Sequence, residues 1–359
     1  MAVAGGLSEA GFQAVFVGGA VRDGLLGIPE TAETEFDIAT SASPQEVQAI
    51  FPQTVAVGAS FGVVKVIQPE GTYDVATFRS DVGMGDGRHP ASVKPATLEE
   101  DVQRRDFTIN GLVEDPVSGK VLDLVDGKKD LEARVIRTIG DPSLRFQEDG
   151  LRLLRAIRFA ARFDFCIEEE TTQAIRSEAS RLDLVSAERI CDEMRRMLMD
   201  SSRCSAIELL DGHGLLDRVL PEVEAMKGVE QPPEFHPEGD VWVHTLLALE
   251  KLPRSSTFEL ALATLLHDVG KPPTFVRAED RIRFNGHVEL GATMSEAICQ
   301  RLRMAKKATD RVVALVRDHL LFKDVPAMRP GRLRRMLASS HYEELELLYI
   351  ADCEASHGV

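Results

Sequence analysis

The chain has 359 residues and a formal net charge of −16 at pH 7. It is long enough for two or three domains, each with its own core. No run of about 18 or more apolar residues occurs, so a membrane span is not expected. The amino end lacks the basic start of a signal peptide, and the cysteines are scattered without a Cys-x-x-Cys pair. These features predict a cytoplasmic protein with reduced thiols.

The acidic balance argues against nucleic-acid binding driven by charge over the whole surface. One stretch, from Arg301 to Arg335, has the opposite balance, with eleven basic residues against three acids. Such a stretch is typical of a solvated helix face or of a face that contacts RNA. Charge alone leaves both open.

The first 140 or so residues alternate β-rich runs with turns. The predicted strands are VFVGG, FDIAT, GVVKVIQ, TYDVATF and KVLDLVD. Between them, VRDGLLG and SPQEVQAIF predict helices, the second opened by Ser-Pro. This pattern indicates an α/β or α+β head over residues 1–140.

From Asp141 the apolar residues recur with a helical period, as in LRLLRAIRFAARF and ERICDEMRRMLM. A break rich in proline and acidic residues, VEQPPEFHPEGD, separates this body from a third region that bears histidines. The expected domains are therefore a head (1–140), a helical neck and body (141–228) and a second helical domain (229–359).

Gly18 and Gly19 follow a predicted strand and precede the helix that carries Arg22. Glycines let a backbone approach a phosphate, a helix N-terminus supplies free N–H donors, and the arginine adds a charge-assisted contact. A tight turn alone would also require glycine, so this signal is weak by itself.

Two acids, Glu35 and Asp37, stand two residues apart at the start of the next strand and project to one face. Clustered carboxylates favour Mg²⁺, which together with the glycine turn suggests metal-assisted phosphoryl transfer. Solvated turn acids are the alternative.

Further along, Arg105, Asp106 and Asn110 combine a cation for a triphosphate with a carboxylate and an amide for ribose hydroxyls. Structural ion pairs or caps would use the same residues.

Asp149, Arg152 and Arg155 lie at spacings of three and would share a helix face. A carboxylate beside a guanidinium complements a base edge with an amino group next to an acceptor nitrogen. Cytosine and adenine have that edge, whereas guanine and uracil do not. The alternative is a salt bridge that supports the helix.

In the third region, histidines surround an adjacent His-Asp pair at a predicted helix end. Such residues could converge on a divalent metal that activates water, or they could be satisfied core histidines. The residues concerned are His236, His244, His267, Asp268, His287, His319 and Asp352.

Together these motifs resemble the class II CCA-adding enzymes and bacterial poly(A) polymerases, within the polymerase β-like nucleotidyltransferases. The matching motifs occur in family order: GGAVRDGLLG (18–27), EFDIAT (35–40), FGVVKV (61–66), RRDFTING (104–111), DLVDGKKDLEARVIRTIGDP (123–142), RFQEDGLRLLRAIRFAA (145–161) and ERICDE (188–193). The resemblance implies an α+β fold in which a small mixed sheet with helices forms the head and helical regions follow.

The resemblance also implies roles for individual residues. Mg²⁺ would be held by Glu35 and Asp37, the catalytic pair. The residues implied to bind the nucleotide are Gly18, Gly19, Arg22 and Arg105 for the triphosphate, Asp106 and Asn110 for the ribose, Asp149 and Arg152 for the base, and Arg155 and Arg158 in support.

Two features qualify the resemblance. The family has Asp where this chain has Glu35, and the extra methylene could displace the metal by about 1 Å, at a cost of about a hundredfold in rate. The segment from Arg79 to Asp106 looks like a full-length flexible loop, which favours CCA addition or A addition over addition of C alone.

The stretch LLHDVGKP resembles the HD phosphohydrolases, and some CCA-adding enzymes carry such a helical domain. This resemblance implies a second divalent metal (Mn, Ni, Fe or Mg), with His244, His267, Asp268, His287, His319 and Asp352 as its candidate ligands. The expected function is addition of C and A to the tRNA 3′ end from CTP and ATP. The alternatives are an enzyme that adds only A, including a poly(A) polymerase, an HD phosphohydrolase whose head has degenerated, and a purely structural RNA-binding protein.

Overall fold

The structure, a computed structural model, describes residues 2–29, 36–56, 62–82, 92–234 and 236–357. It divides into two compact units, residues 1–181 and 182–359, called the first and second units below. The division into three domains remains a prediction. Across the described ranges, no helix has both the length and the apolar character needed to cross a bilayer.

The strands of the first unit are β1 (Ala14–Val17), β2 (Asp37–Thr40), β3 (Thr54–Ala56), β4 (Val63–Gln68), β5 (Gly71–Thr77), β6 (Arg79–Val82), β7 (Ser92–Pro95), β8 (Val113–Glu114), β9 (Val121–Leu122), β10 (Val135–Ile136) and β11 (Cys166–Ile167). Among the described residues, seven of them form one sheet in the order β3-β4-β5-β2-β1-β8-β9. The pair β2–β5 is parallel, whereas β1–β2 and β4–β5 are antiparallel. The small mixed sheet expected for the head is therefore confirmed.

The helices of the first unit are α1 (Ala2–Glu9), α2 (Gly19–Leu25), α3 (Pro44–Ile50), α4 (Leu98–Gln103), α5 (Gly127–Ala133), α6 (Pro142–Glu148), α7 (Leu151–Phe163) and α8 (Glu169–Ser177). Helix α3 begins where the sequence predicts, because Ser43 and Glu46 form a capping box and Pro44 occupies the first turn. Strand β1 is buried along its whole length, and Val15 and Val17 pack in one apolar cluster with Phe78 and Val102. The sheet therefore has an apolar core beneath β1. The glycine turn follows directly after this strand.

Two sequence expectations for the first unit are wrong. The strand predicted over KVLDLVD is reduced to Val121–Leu122, because the Asp123 carboxylate accepts hydrogen bonds from the backbone N–H groups of Val125 (3.1 Å) and Gly127 (2.9 Å) and folds the chain into a turn. The segment from Arg79 to Asp106, expected to be a loop, contains the antiparallel pair β6–β7 and helix α4. Its residues 83–91 lie outside the described ranges.

The second unit is mainly helical. Its elements are α9 (Ala187–Leu198), α10 (Arg203–Gly212), α11 (Leu216–Val219), α12 (Pro221–Glu224), α13 (Val241–Lys251), α14 (Phe258–Leu266), α15 (Lys271–Thr274), β12 (Val276–Arg277), β13 (Ile282–Arg283), α16 (His287–Arg301), α17 (Lys306–Asp318), α18 (Pro330–Leu337) and α19 (Tyr342–His357). Helix α14 is buried almost all round and packs against α13, α17 and α19. A helix that is apolar on every side belongs at the centre of a core, and here its last turn brings His267 to the middle of the unit.

Candidate functional sites

The turn between β1 and α2 lies beside the carboxylate of Asp37. Gly18 has φ 77° and ψ −136°, a conformation that favours glycine, and a Cβ there would lie 3.3 Å from Asp37 Oδ2. Asp37 is exposed at the start of β2, opposite Val17 in the sheet register. The first predicted metal ligand, Glu35, lies outside the described residues. The structure thus places one predicted metal ligand directly beside the predicted phosphate turn.

Arg22 is buried and held on several sides. Its Nε donates to Asp23 Oδ1 at 2.8 Å, and its Nη1 donates to Asn110 Oδ1. The guanidinium carbon lies 5.0 Å from the ring centroid of Phe159 and 4.6 Å from that of Phe163. Burial lowers the pKa of the guanidinium, and Asp23 offsets part of this shift. The sequence suggests no link between Arg22 and Asn110, which are 88 residues apart.

Asp106 continues this chain of hydrogen bonds. Its Oδ1 accepts from Asn110 Nδ2 at 3.0 Å and from the Phe107 backbone N–H at 2.8 Å, while its Oδ2 accepts from Arg155 Nε at 2.8 Å. Burial alone would raise the pKa of Asp106, but the charge of Arg155 and these hydrogen bonds lower it to about 2. Four predicted nucleotide-binding residues therefore form one array, Arg22–Asn110–Asp106–Arg155, called the head array below.

The remaining predicted nucleotide-binding residues lie nearby in the chain but in different settings. Arg105 pairs with Asp101 at 2.9 Å. Arg158 is buried, with its guanidinium carbon 4.3 Å from the Phe159 ring centroid. Both arginines therefore also stabilise the fold through an ion pair or a stacking contact.

Asp149 and Arg152 do not share one helix, contrary to the spacing argument. Asp149 ends α6 in an extended conformation, and its Oδ1 accepts from the backbone N–H of Leu151 at 3.0 Å, at the start of α7. Arg152 lies on α7, where Nη1 pairs with Glu148 at 2.7 Å and Nη2 donates to the Arg104 carbonyl at 3.0 Å. Capping at this junction separates α6 from α7, so the two side chains come from adjacent segments.

In the second unit, the six predicted metal ligands come together from different elements. Nε2 of His244 lies 3.1 Å from Asp352 Oδ1 and 3.3 Å from Nε2 of His267. Nε2 of His267 lies 3.3 Å from Asp268 Oδ2, and Nε2 of His287 lies 3.8 Å from Asp268 Oδ1. Their ligand atoms form two groups that are each compact enough to hold a metal ion: His244, His267 and Asp352, and Asp268, His287 and His319.

In each of the four histidines of this cluster, Nδ1 lies next to an oxygen that can accept a hydrogen bond. The Nδ1 of His244 lies 2.8 Å from Glu238 Oε1. The other three donate Nδ1–H to the carbonyl three residues earlier: His267 to Thr264 (2.7 Å), His287 to Phe284 (2.8 Å) and His319 to Val316 (2.6 Å). A carbonyl only accepts, so in the neutral rings the proton is on Nδ1 and the lone pair is on Nε2. Such second contacts are typical of metal-binding histidines.

The electrostatics also suit a cation. Burial disfavours charge on Asp268, but Lys271, 2.6 Å away, and His267 hold its pKa well below the ordinary range. Burial lowers the pKa of His319 to about 4. For His244, hydrogen bonds to Asp352 and Glu238 outweigh burial and raise the pKa to about 9. The carboxylates therefore stabilise a positive charge at Nε2 of His244. Either a bound proton or a metal cation can supply this charge.

Sequence reasoning missed two members of this second site. Lys271 lies three residues after Asp268 within LLHDVGKP, so helical spacing could have indicated it. Glu238 lies in the irregular segment before α13, where no periodicity marks it. The donor set of imidazole nitrogens and carboxylate oxygens fits a divalent transition metal or Mg²⁺.

Comparison with known families gives the class of protein. Residues 14–137 match the family described as "Poly A polymerase head domain", and residues 164–227 match "Probable RNA and SrmB- binding site of polymerase A". Residues 241–355 match the "HD domain" family. With a mixed-sheet head and a helical second unit, the chain is a nucleotidyltransferase of the poly(A) polymerase class that carries an HD domain.

Individual relatives narrow this class. A multifunctional CCA protein from Nitrosococcus oceani is 35% identical over 354 residues, which cover 96% of this chain and 85% of the relative. The CCA-adding enzyme of Bacillus subtilis is 44% identical over 205 residues, or 57% of this chain and 51% of the relative. The solved Bacillus stearothermophilus CCA-adding enzyme in complex with CTP is 29% identical, with a TM-score of 0.73 over 100% of this chain and 77% of that one. The chain belongs to the family of CCA-adding enzymes and multifunctional CCA proteins.

Proposed function

We propose that this protein adds C and A residues to the 3′ end of tRNA from CTP and ATP, without a nucleic-acid template and with release of pyrophosphate. Membership of the family of CCA-adding enzymes and multifunctional CCA proteins supports this reaction. The structural observation that carries the proposal is the head array, because it joins a cation, an amide and a carboxylate from distant parts of the chain. We also propose that the protein works in the cytoplasm, where its substrates are found.

Within this proposal, the chain acts mainly by positioning and by charge. Gly18, Gly19, Arg22 and Arg105 bind the triphosphate, while Asp106 and Asn110 orient the ribose. Arg155 and Arg158 hold these groups in place. Fixed cations aimed at the phosphates stabilise the negative charge that shifts to pyrophosphate as the primer hydroxyl attacks the α-phosphate.

Mg²⁺ is the proposed metal of the head, held by Glu35 and Asp37. The exposed Asp37 carboxylate beside the Gly18 turn fits this cation, which prefers carboxylate oxygens together with substrate phosphates. When bound, Mg²⁺ supplies charge neutralisation on the triphosphate. Glu35 is a proposed ligand from the sequence motif alone.

Asp149 and Arg152 are the proposed readers of the base. The carboxylate accepts from the exocyclic amino group, and the guanidinium donates to the adjacent ring nitrogen of cytosine or adenine. Helix-end capping fixes Asp149, and bonds to Glu148 and to main-chain carbonyls fix Arg152. The proposed nucleotide choice thus depends on two side chains that are held by their own hydrogen bonds.

A second activity, hydrolysis of a phosphate ester, is favoured by a specific observation in the second unit. Beside the predicted metal ligands lies a cavity of about 510 Å³. Its lining includes Lys271, Arg281, Arg283 and Lys323, which give it the positive charge that an anionic ester requires. We propose that His244, His267, Asp268, His287, His319 and Asp352 hold a divalent metal (Mn, Ni, Fe or Mg) there, which supplies an activated water.

Primer extension tests the main proposal. The substrates are tRNAs that end before CCA, after C and after CC, with labelled CTP or ATP and Mg²⁺. Incorporation of two C residues and then one A is expected. Addition of A alone to the CC-ended tRNA would identify an A-adding enzyme instead.

If neither nucleotide is incorporated, the transferase proposal fails for this chain. Recovery of incorporation in Glu35→Asp would then indicate a degenerated head, with activity left only at the HD site.

A further inference from the structure

The second unit carries an exposed row of arginines on and beside α18. We define the arginine surface as Arg329, Arg332, Arg334 and Arg335, all of which are exposed. No aspartate or glutamate occurs from Val325 to Tyr342. In a chain with a net charge of −16, this is a strong local reversal of charge.

Four of the seven other basic residues in the stretch from Arg301 to Arg335 form ion pairs. Several are neutralised by acids nearby: Arg301 by Glu222 (2.6 Å), Lys306 by Asp310 (2.8 Å), Arg311 by Glu344 (3.1 Å) and Arg317 by Asp318 (3.1 Å). For the arginine surface, no ion pair within 4.0 Å occurs among the residues that the structure describes. The structure therefore separates two kinds of basic residue that the sequence could not tell apart.

The packing of α18 places two of these arginines on the same side of the helix. Met336 is buried and anchors α18, so Arg332 and Arg335, three residues apart on the helix, lie on one side of it. A groove of about 210 Å³ runs beside them and is lined also by Met328, Met336, His341 and Asp318, whose carboxylate pairs with Arg317 and His341. Arg332 and Arg335 therefore lie together beside one groove, with Arg329 and Arg334 close to them in the chain.

We propose that the arginine surface binds phosphates of the tRNA body, as a contact separate from the one that holds the 3′ end. This inference rests on the proposed function, which makes tRNA the substrate. Guanidinium groups bind phosphate oxygens in a bidentate manner. Because the chain carries a net charge of −16, binding of a large RNA depends on faces where the local charge is positive.

The test uses the full chain with three substitutions, Arg332→Gln, Arg334→Gln and Arg335→Gln. Affinity for tRNA ending in CC is measured by fluorescence anisotropy at several salt concentrations. Each lost phosphate contact lowers the slope of log affinity against log salt by about 1, so a reduction by about 2 to 3 is expected, with affinity about tenfold weaker at low salt. In primer extension, KM for tRNA should rise by a similar factor while kcat stays unchanged.

The matched control makes the same change in net charge elsewhere on the second unit: Lys251→Gln, Arg254→Gln and Lys307→Gln, all exposed. The control should bind tRNA as the parent protein does. Equal weakening in both variants, or parent-like affinity and salt slope in the arginine variant, would overturn the inference. Failure of the parent protein to add nucleotides is a different result, because it contradicts the proposed function while tRNA affinity can still be measured.

Discussion

At the scale of single residues, the second site depends on which nitrogen of each histidine carries the proton. Three of the four rings are fixed by main-chain carbonyls, which substitution cannot remove. His244 is the exception, because its acceptor is the side chain of Glu238. Glu238 is therefore the one acceptor of this set that mutation can change.

We expect Glu238→Gln to weaken metal binding by about 10 to 100 fold, because a neutral amide orients and polarises His244 less well than a carboxylate does. Calorimetric titration of the full chain with Mn²⁺ or Ni²⁺ measures this. Glu234→Gln, at an exposed position in the same segment, is the control and should bind like the parent protein. Parent-like affinity in Glu238→Gln would show that His244 needs no such partner.

A second residue-scale prediction concerns Asp106 and Arg155. Because the pKa of Asp106 is lowered to about 2, its ionised form stabilises the fold above the ordinary pKa of 3.8, and this contribution is lost as the pH falls toward 2. Removing the cation with Arg155→Gln should cost about 2 kcal/mol in free energy of unfolding at pH 7. The difference from the parent protein should shrink as the pH falls from 4 to 2, because Asp106 of the parent protein loses its charge as the pH approaches its pKa of about 2.

Urea unfolding at a series of pH values measures that difference. The control is Arg218→Gln, which breaks the pair between the exposed side chains of Arg218 and Asp183. An exposed pair contributes about 0 to 1 kcal/mol, so its difference should be small at every pH. A difference for Arg155→Gln that stays constant down to pH 2 would show that the lowered pKa of Asp106 is not its source.

At the scale of elements, the junction between α6 and α7 is held by close backbone packing. A Cβ at Gly150 would lie 2.6 Å from the Arg181 carbonyl oxygen, and a backbone atom cannot move aside as a flexible side chain does. We therefore expect Gly150→Ala to lower the free energy of unfolding by about 1 to 3 kcal/mol. Chemical denaturation of the full chain measures this.

Gly24→Ala is the matched control for that substitution. Gly24 lies inside α2, and nothing lies within 4 Å of a Cβ added there. Alanine favours a helix interior over glycine by about 1 kcal/mol, so this variant should be as stable as the parent protein or more stable. Similar destabilisation by both substitutions would contradict the packing argument.

The elements that sequence predicts well are those with a long, regular apolar pattern. The run LRLLRAIRFAARF coincides with α7 from Leu151 to Phe163. Helix α4 lies within the segment that the sequence predicts to be a loop, although Thr97 and Glu100 form a capping box at its start. The strand predicted over KVLDLVD was too long because a side-chain contact, Asp123 with the backbone after it, replaced strand pairing.

The candidate sites show the same difference between features that a local sequence pattern predicts and features that tertiary contacts create. The resemblance to the HD phosphohydrolases is enough to select six candidate ligands that the structure brings together in the second unit. It could not reveal Glu238, or the link between Arg22 and Asn110, because tertiary packing creates both. Nor could it show that Asp149 and Arg152 come from different segments, because helix capping between them leaves no change in spacing.

At the scale of the whole molecule, two reactions are assigned to two separate sets of residues. Nucleotide addition is proposed for the head, and hydrolysis of phosphate esters is proposed for the second site. Asp37→Asn removes a proposed ligand of the head, and we expect it to lower nucleotide addition by at least about a hundredfold. His267→Ala removes a proposed ligand of the second site and should abolish hydrolysis of phosphate esters. Each variant should keep the other activity, because no residue is shared between the two proposed sites.

Both activities are measured on the same preparations, by primer extension with labelled CTP and ATP and by phosphate release from a phosphate ester with Mn²⁺ or Ni²⁺. Asp23→Asn would be a poor control, since Asp23 contacts Arg22, whereas Glu234→Gln touches neither site and should keep both activities. Loss of hydrolysis in Asp37→Asn would show that the head supplies that reaction. Loss of nucleotide addition in His267→Ala, with folding intact, would show that the metal cluster serves the transferase, and the two sites would then have to be treated as parts of one machinery.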